Sequence, residues 1–167
     1  RPIFVSNFGV FKPFLEVGKS FEALPLPLLF PVAANQSFSV DSKTFCLLDY
    51  YDMVTDTYIM GSFQHHFNGY IFNKVPGLKK LKLREIGFYR AIYGSISQEN
   101  SAINQSSIQY VAPNRAVYAE YGFGIENIGY GNFRPLRFDF VWRTNFQNIN
   151  GPEPPRFGIR IGFNPTF

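Results

Sequence analysis

The chain has 167 residues, 46% of them apolar and only 17% charged, with a formal net charge of +4 and a mean hydropathy of −0.09. No stretch approaches the ~18–20 apolar residues of a membrane helix. The basic residues are scattered apart from Lys79, Lys80, Lys82 and Arg84, which excludes the broad basic stripe of a nucleic-acid surface, and the single Cys46 excludes an intrachain disulfide.

Aromatic residues reach 19%: twenty Phe, ten Tyr and one Trp. A soluble core of this size does not need so many, whereas a lipid-facing surface with aromatic girdles does. Charged residues also fall below the ~25% of an average soluble domain.

Six segments alternate with the period-two pattern of strands. The first runs roughly from Gly9 to Glu22, with Phe11, Leu15, Val17 and Phe21 on one face and Lys12, Glu16, Gly18 and Ser20 on the other. The second runs from Tyr58 to Asn68, where Ile59, Phe63 and Phe67 alternate with Met60, Ser62, Gln64 and His66. The third runs from Leu83 to Ser97. Its apolar face carries Ile86, Phe88, Ile92 and Ile96, opposite Glu85, Gly87, Tyr89, Tyr93 and Ser95.

The fourth, Ala116 to Asn127, sets Val117, Ala119, Tyr121, Phe123 and Ile125 against Tyr118, Glu120, Gly122, Gly124 and Glu126. In the fifth, Leu136 to Thr144, Leu136, Phe138, Phe140 and Trp142 oppose Arg137, Asp139 and Arg143. In the sixth, Phe157 to Phe167, Phe157, Ile159, Ile161 and Phe163 oppose Gly158, Arg160, Gly162 and Asn164.

The mixed faces are rich in Gly, Ser, Tyr, Arg, Glu and Asp rather than the Lys and Thr that bulk water would favour. Charges Glu120, Glu126, Arg137, Asp139, Arg143 and Arg160 sit among glycines, as in the lumen of a transmembrane barrel. The connections alternate in length. Residues 24–57, 98–115 and 145–155 are long and read as external; residues 69–82 and 128–135 read as internal. The fold class expected is all-β, an antiparallel transmembrane β-barrel. Residues 1–167 supply about six carboxy-terminal strands of a single barrel domain, because the smallest single-chain barrels need ~8. The remaining strands are expected upstream of Arg1.

The stretches Phe45–Tyr58, His65–Glu85 and Tyr118–Ile128 resemble the carboxy-terminal part of a Bacteroidota outer-membrane family of unknown function. Its members have an amino-terminal carboxypeptidase-regulatory-like domain and a barrel similar to the BamA/TamA superfamily. The resemblance implies a sixteen-stranded barrel, with residues 24–57 as the external loop that folds back into the lumen. That loop usually carries an Arg that binds an acidic lumen residue; here its only basic residue is Lys43. The resemblance also implies a carboxy-terminal signal, at Ile159, Ile161, Phe163 and Phe167, read by the barrel assembly machinery.

His65 and His66 point to opposite faces of a strand and cannot easily chelate one metal. Asp49, Asp52 and Asp56 lack the spacing of a calcium loop and read as solvated acids, and Cys46 reads as a packed, inert thiol. No triad order, phosphate loop or zinc motif is present, so no enzyme, cofactor or metal is expected.

The function expected is that of an outer-membrane barrel segment in outer-membrane protein assembly, secretion or envelope organisation. Outer-membrane lipid, the assembly machinery and other outer-membrane complex subunits would be its partners. The alternatives are the last strands of a TonB-dependent nutrient transporter and a soluble β-sandwich binding module.

Overall fold

The computed structural model describes residues 1–105, 110, 116–144 and 155–163. Its main element is one antiparallel sheet of seven strands: β1 (Ile3–Phe4), β2 (Val10–Lys19), β5 (Thr57–His66), β6 (Arg84–Ser95), β7 (Val117–Tyr130), β8 (Phe133–Thr144) and β9 (Phe157–Phe163). In the sheet they lie in the order β1-β2-β5-β6-β7-β8-β9. A two-stranded hairpin, β3 (Phe30–Pro31) with β4 (Val54–Thr55), lies within the β2–β5 connection. The sheet is open: β1 and β9 are its two edges and do not pair with each other. Two short helices, α1 (Pro76–Lys79) and α2 (Gln98–Ile103), follow β5 and β6. No described helix is long and apolar enough to cross a membrane.

All six expected strands are present, and β1 adds a short seventh. Phe21 lies beyond the end of β2. The 128–135 connection shrinks to the pair Gly131–Asn132, since β7 and β8 run to Tyr130 and from Phe133. Gly131 there takes a left-handed φ of 59°, which glycine adopts without steric cost. A bulge between Ile125 and Ile128 centres on Asn127, whose φ is 64°. Its side-chain amide donates to the Lys82 carbonyl at 2.5 Å and ties the β7 end to the β5–β6 connection. Residues 69–82 are not a plain loop, because they hold a 3-10 turn at Phe72–Lys74 and α1.

The two faces of the sheet differ in exposure and in where their charges lie. One face is open to the surroundings and carries Ile59, Phe63, Tyr89, Tyr93, Tyr121, Phe123, Phe157, Ile159 and Ile161, all largely exposed. Cross-strand aromatic pairs tie this face together: Phe123 with Phe140 at 5.0 Å, Trp142 with Phe157 at 4.9 Å and Phe11 with Phe63 at 6.1 Å between ring centres. Each such pair contributes about 0.5–1.5 kcal/mol. The other face is covered by the segment between β2 and β5. Val32, Phe45, Leu48 and Met53 of that segment pack on Met60, Ile92 and Tyr118 of the sheet, and a second cluster joins Leu26, Leu29 and Val54.

Strand β6 corrects the sequence reading. Ile86, Phe88 and Ile92 lie on the covered face, while Tyr89 and Tyr93 lie on the open one. Both faces of β6 are apolar enough to be buried. What decides between them is that Ile92 completes the cluster under Phe45 and Met53.

Candidate functional site

The covered face brings together all six charged residues singled out from the sequence. Glu120, Glu126, Arg137, Asp139 and Arg143 are buried there, and Arg160 is half-buried. Strand pairing places Ser62, Arg90, Glu120 and Arg143 in one row across β5, β6, β7 and β8. Asp139 and Arg160 are paired in another row.

Three of these charges, Glu120, Arg143 and Arg160, hold the backbone of the covering segment. The Glu120 carboxylate accepts the Cys46 N–H at 2.6 Å and the Leu47 N–H at 2.8 Å, and also the Tyr118 hydroxyl at 2.8 Å. Arg143 donates to the Leu47 carbonyl at 2.7 Å and the Pro155 carbonyl at 2.9 Å. Arg160 donates to the Ser39 carbonyl at 2.8 Å and the Ser37 carbonyl at 3.3 Å. Arg90, fully buried, donates to the Ser42 carbonyl at 3.2 Å, beside the Ser62 hydroxyl that donates to the same oxygen at 2.6 Å. Cys46 is half-buried, and its surroundings are not purely apolar, since its Sγ lies 3.4 Å from one guanidinium nitrogen each of Arg90 and Arg160.

The covering segment contains no Arg. The sheet supplies the guanidinium groups and the segment supplies carbonyls and N–H groups. Burying a charge is costly unless hydrogen bonds satisfy it, and the segment's irregular backbone offers unpaired donors and acceptors.

Arg137 and Asp139 form a direct pair at 2.7 Å. Glu126 instead meets His66 Nδ1 at 2.9 Å. His65, on the opposite face, contacts the Phe8 carbonyl at 2.8 Å. The guanidinium groups of Arg90 and Arg137 lie 4.6 and 5.7 Å from the centre of the Phe88 ring. Sequence reading missed Arg90 because it sits on the Ile86–Ile92 face. The available signal was the Arg itself, lone in an apolar alternation and opposite Glu120.

Glycines make room for the segment. A Cβ at Gly158 would run into Leu47, and one at Gly162 would run into Val40. The segment also pairs with the β9 edge: Phe163 N–H donates to the Phe38 carbonyl at 2.7 Å, and Val40 N–H donates to the Phe163 carbonyl at 3.3 Å.

Asp56 departs from the solvated-acid reading. It is buried, accepting the Ser97 N–H at 2.6 Å and the Asn100 side-chain amide at 2.9 Å, so it fastens α2 to the start of β5. Burial pushes its carboxyl up, but the hydrogen bonds from Ser97, Asn100 and Thr57 outweigh that and hold it below the ordinary value.

Of the carboxy-terminal residues, Ile159 and Ile161 are on the open face, Phe163 ends β9, and Phe167 lies outside the described residues.

This architecture is an all-β, antiparallel sheet with a segment bound across its charged face. Residues 32–102 match the model of a family described as a family of unknown function (DUF5686), C-terminal domain. The matched region runs from the covering segment through β4, β5 and β6 to α2, and so contains Cys46, Leu47, Asp56 and Arg90. No curated protein and no solved structure matches the chain.

Proposed function

We propose that the chain is part of a bacterial outer-membrane β-barrel whose lumen is occupied by residues 20–56. The observation that carries this reading is the inverted polarity of the sheet. Arg90 and Glu120 have no exposed surface, whereas Ile159 is 60% exposed. An aqueous surround would favour the reverse arrangement, and a hydrocarbon surround favours this one.

Open sheet edges in hydrocarbon leave backbone groups unsatisfied at several kcal/mol each. The reading therefore requires further strands, which we assign to a polypeptide region upstream of Arg1 in a barrel of about sixteen strands, of the BamA/TamA type. The match of residues 32–102 to a family model described as a C-terminal domain supports the upstream region alone. Ile159, Ile161, Phe163 and Phe167 would form the signal read by the assembly machinery. The role is non-enzymatic: outer-membrane protein assembly, secretion or envelope organisation, in contact with other outer-membrane subunits.

Detergent-extracted protein should migrate faster on a denaturing gel before boiling than after, as closed barrels do. A water-soluble protein with no heat-dependent shift would overturn the reading.

A further inference from the structure

One end of the sheet carries a cluster of cations. The ends of β5 and β7 and the starts of β6 and β8 meet there, since His66 pairs with Ile86, Arg84 with Glu126 and Tyr130 with Phe133. The β5–β6 connection and the β7–β8 turn are joined by Arg134, whose guanidinium donates to the Leu81 carbonyl, and by Asn127 on Lys82.

From Thr57 to Arg84, and again from Asn127 to Leu136, the chain has no Asp or Glu. Lys74, Lys79, Lys80 and Lys82 are all exposed there. The two flanking acids are buried: Glu85 accepts the N–H groups of Ile71 and Phe72, and Glu126 meets His66 Nδ1, so both are engaged inside the fold and neither is exposed among the lysines. At the opposite end the exposed described charges are mixed in sign, Glu22, Asp49 and Glu99 with Lys19 and Arg156.

Apolar side chains stand beside the lysines. Ile71, Val75 and Leu81 are exposed, and Tyr130 and Phe133 at the β7–β8 turn are 94% and 67% exposed. The rim also holds a cavity of about 400 Å³ lined by Asn7, Asn68, Tyr70, Asn73 and Lys74, among others. The Lys74 ammonium sits 3.8 Å from the centre of the Tyr70 ring at its edge. Asn and Lys side chains are donor types that bind phosphate oxygens, and Asn7, Asn68, Asn73 and Lys74 line this hollow.

We propose that this rim docks onto the anionic phospholipid headgroups of the leaflet at that end of the barrel. The lysines meet the phosphates, Tyr130 and Phe133 anchor in the interface, and the Asn7–Lys74 cavity takes one headgroup. A bare cationic surface would suit any anion. The flanking exposed aromatic and aliphatic side chains select a bilayer, because amphipathic aromatic rings and lysines together favour the headgroup level. The proposal rests on the barrel reading above.

The test uses the full protein in nanodiscs of phosphatidylcholine, with and without phosphatidylglycerol, and follows hydrogen exchange of the amides of residues 69–82. Exchange should be about tenfold slower in the anionic discs, and added salt should remove the difference. Substituting Lys79→Gln, Lys80→Gln and Lys82→Gln together should abolish the difference, and the three Lys→Arg changes should retain it. Equal exchange in the two discs overturns the proposal. So does protection by inorganic phosphate equal to that by phosphatidylglycerol, which would mark a free-anion site. Failure of the barrel reading is seen separately, as a chain that does not enter discs. In that case flotation with vesicles of the same two compositions reads the rim directly, and flotation independent of phosphatidylglycerol overturns it.

Discussion

Glu120 and Cys46 meet face to face: the carboxylate near the start of β7 accepts the Cys46 backbone N–H at 2.6 Å and that of Leu47 at 2.8 Å. A buried carboxylate and two otherwise unpaired N–H groups satisfy one another. Hydrogen bonds to a charged group contribute about 1.5–3 kcal/mol each, and a buried donor left without a partner costs its desolvation. This one side chain thus fixes where the covering segment crosses the sheet.

Glu120→Gln keeps the shape but removes the charge and turns an amide donor toward one of those N–H groups. The segment should loosen, and Cys46, the only cysteine, reports it directly. Maleimide labelling of the native protein should quicken by about tenfold or more, as expected for about 2 kcal/mol lost. An unchanged labelling rate would show that the contact does not hold the segment.

The glycines of β9 lead to a second prediction. Gly158→Val should displace Leu47, whose side chain occupies the space a Cβ needs. Overpacking of this kind costs about 1–3 kcal/mol. Because Leu47 is flexible and Gly158 pairs regularly with Val141, the sheet should survive while the segment is released. Circular dichroism should stay unchanged while protease cleavage within residues 37–47 accelerates. Loss of the strand signal as well would refute this division of labour.

The faces of β9 can be tested against each other. Ile161 is on the open face, and Arg160 reaches the segment carbonyls on the covered one. Ile161→Arg should cost about 2–4 kcal/mol near a bilayer midplane, measured by refolding into lipid. Arg160→Ser should be milder in that titration yet speed Cys46 labelling. Equal effects of the two variants on refolding would mean that the open face does not meet lipid.

Acid should unfasten α2. The Asp56 carboxyl is held below its ordinary value of 3.8 in the folded chain, so its contribution to stability is complete above that pH. The contribution is lost as pH falls through the lower, folded value. Hydrogen exchange of the 97–103 amides should therefore rise below about pH 3.8 in the native protein. In Asp56→Asn it should be faster at neutral pH and lose that acid step. A step that persists in the variant would assign it to another group.

Much of this was legible in the residues. The alternation at Met60–His66, Tyr118–Glu126 and Arg137–Arg143 identified three strands and the sides on which their charges fall. It did so because strand side chains alternate strictly, and a charge among glycines stands out against Phe and Trp. The site was half legible. Glu120 and Arg143 could be named, but not their partners, since the groups they hold are the backbone of Cys46 and Leu47, which side-chain pattern does not encode. His66 with Glu126 and Arg90 with Ser42 escaped because the partners are 60 and 48 residues away.

Strand β6 marks the limit. The sequence by itself determined that Ile86, Phe88, Arg90 and Ile92 share one face and Tyr89 and Tyr93 the other, because period two is a property of the extended backbone. Which face is covered is a property of packing. Only the tertiary structure, by laying Phe45, Leu48 and Met53 over the sheet, turned Ile92 and Arg90 inward and left the tyrosines outside.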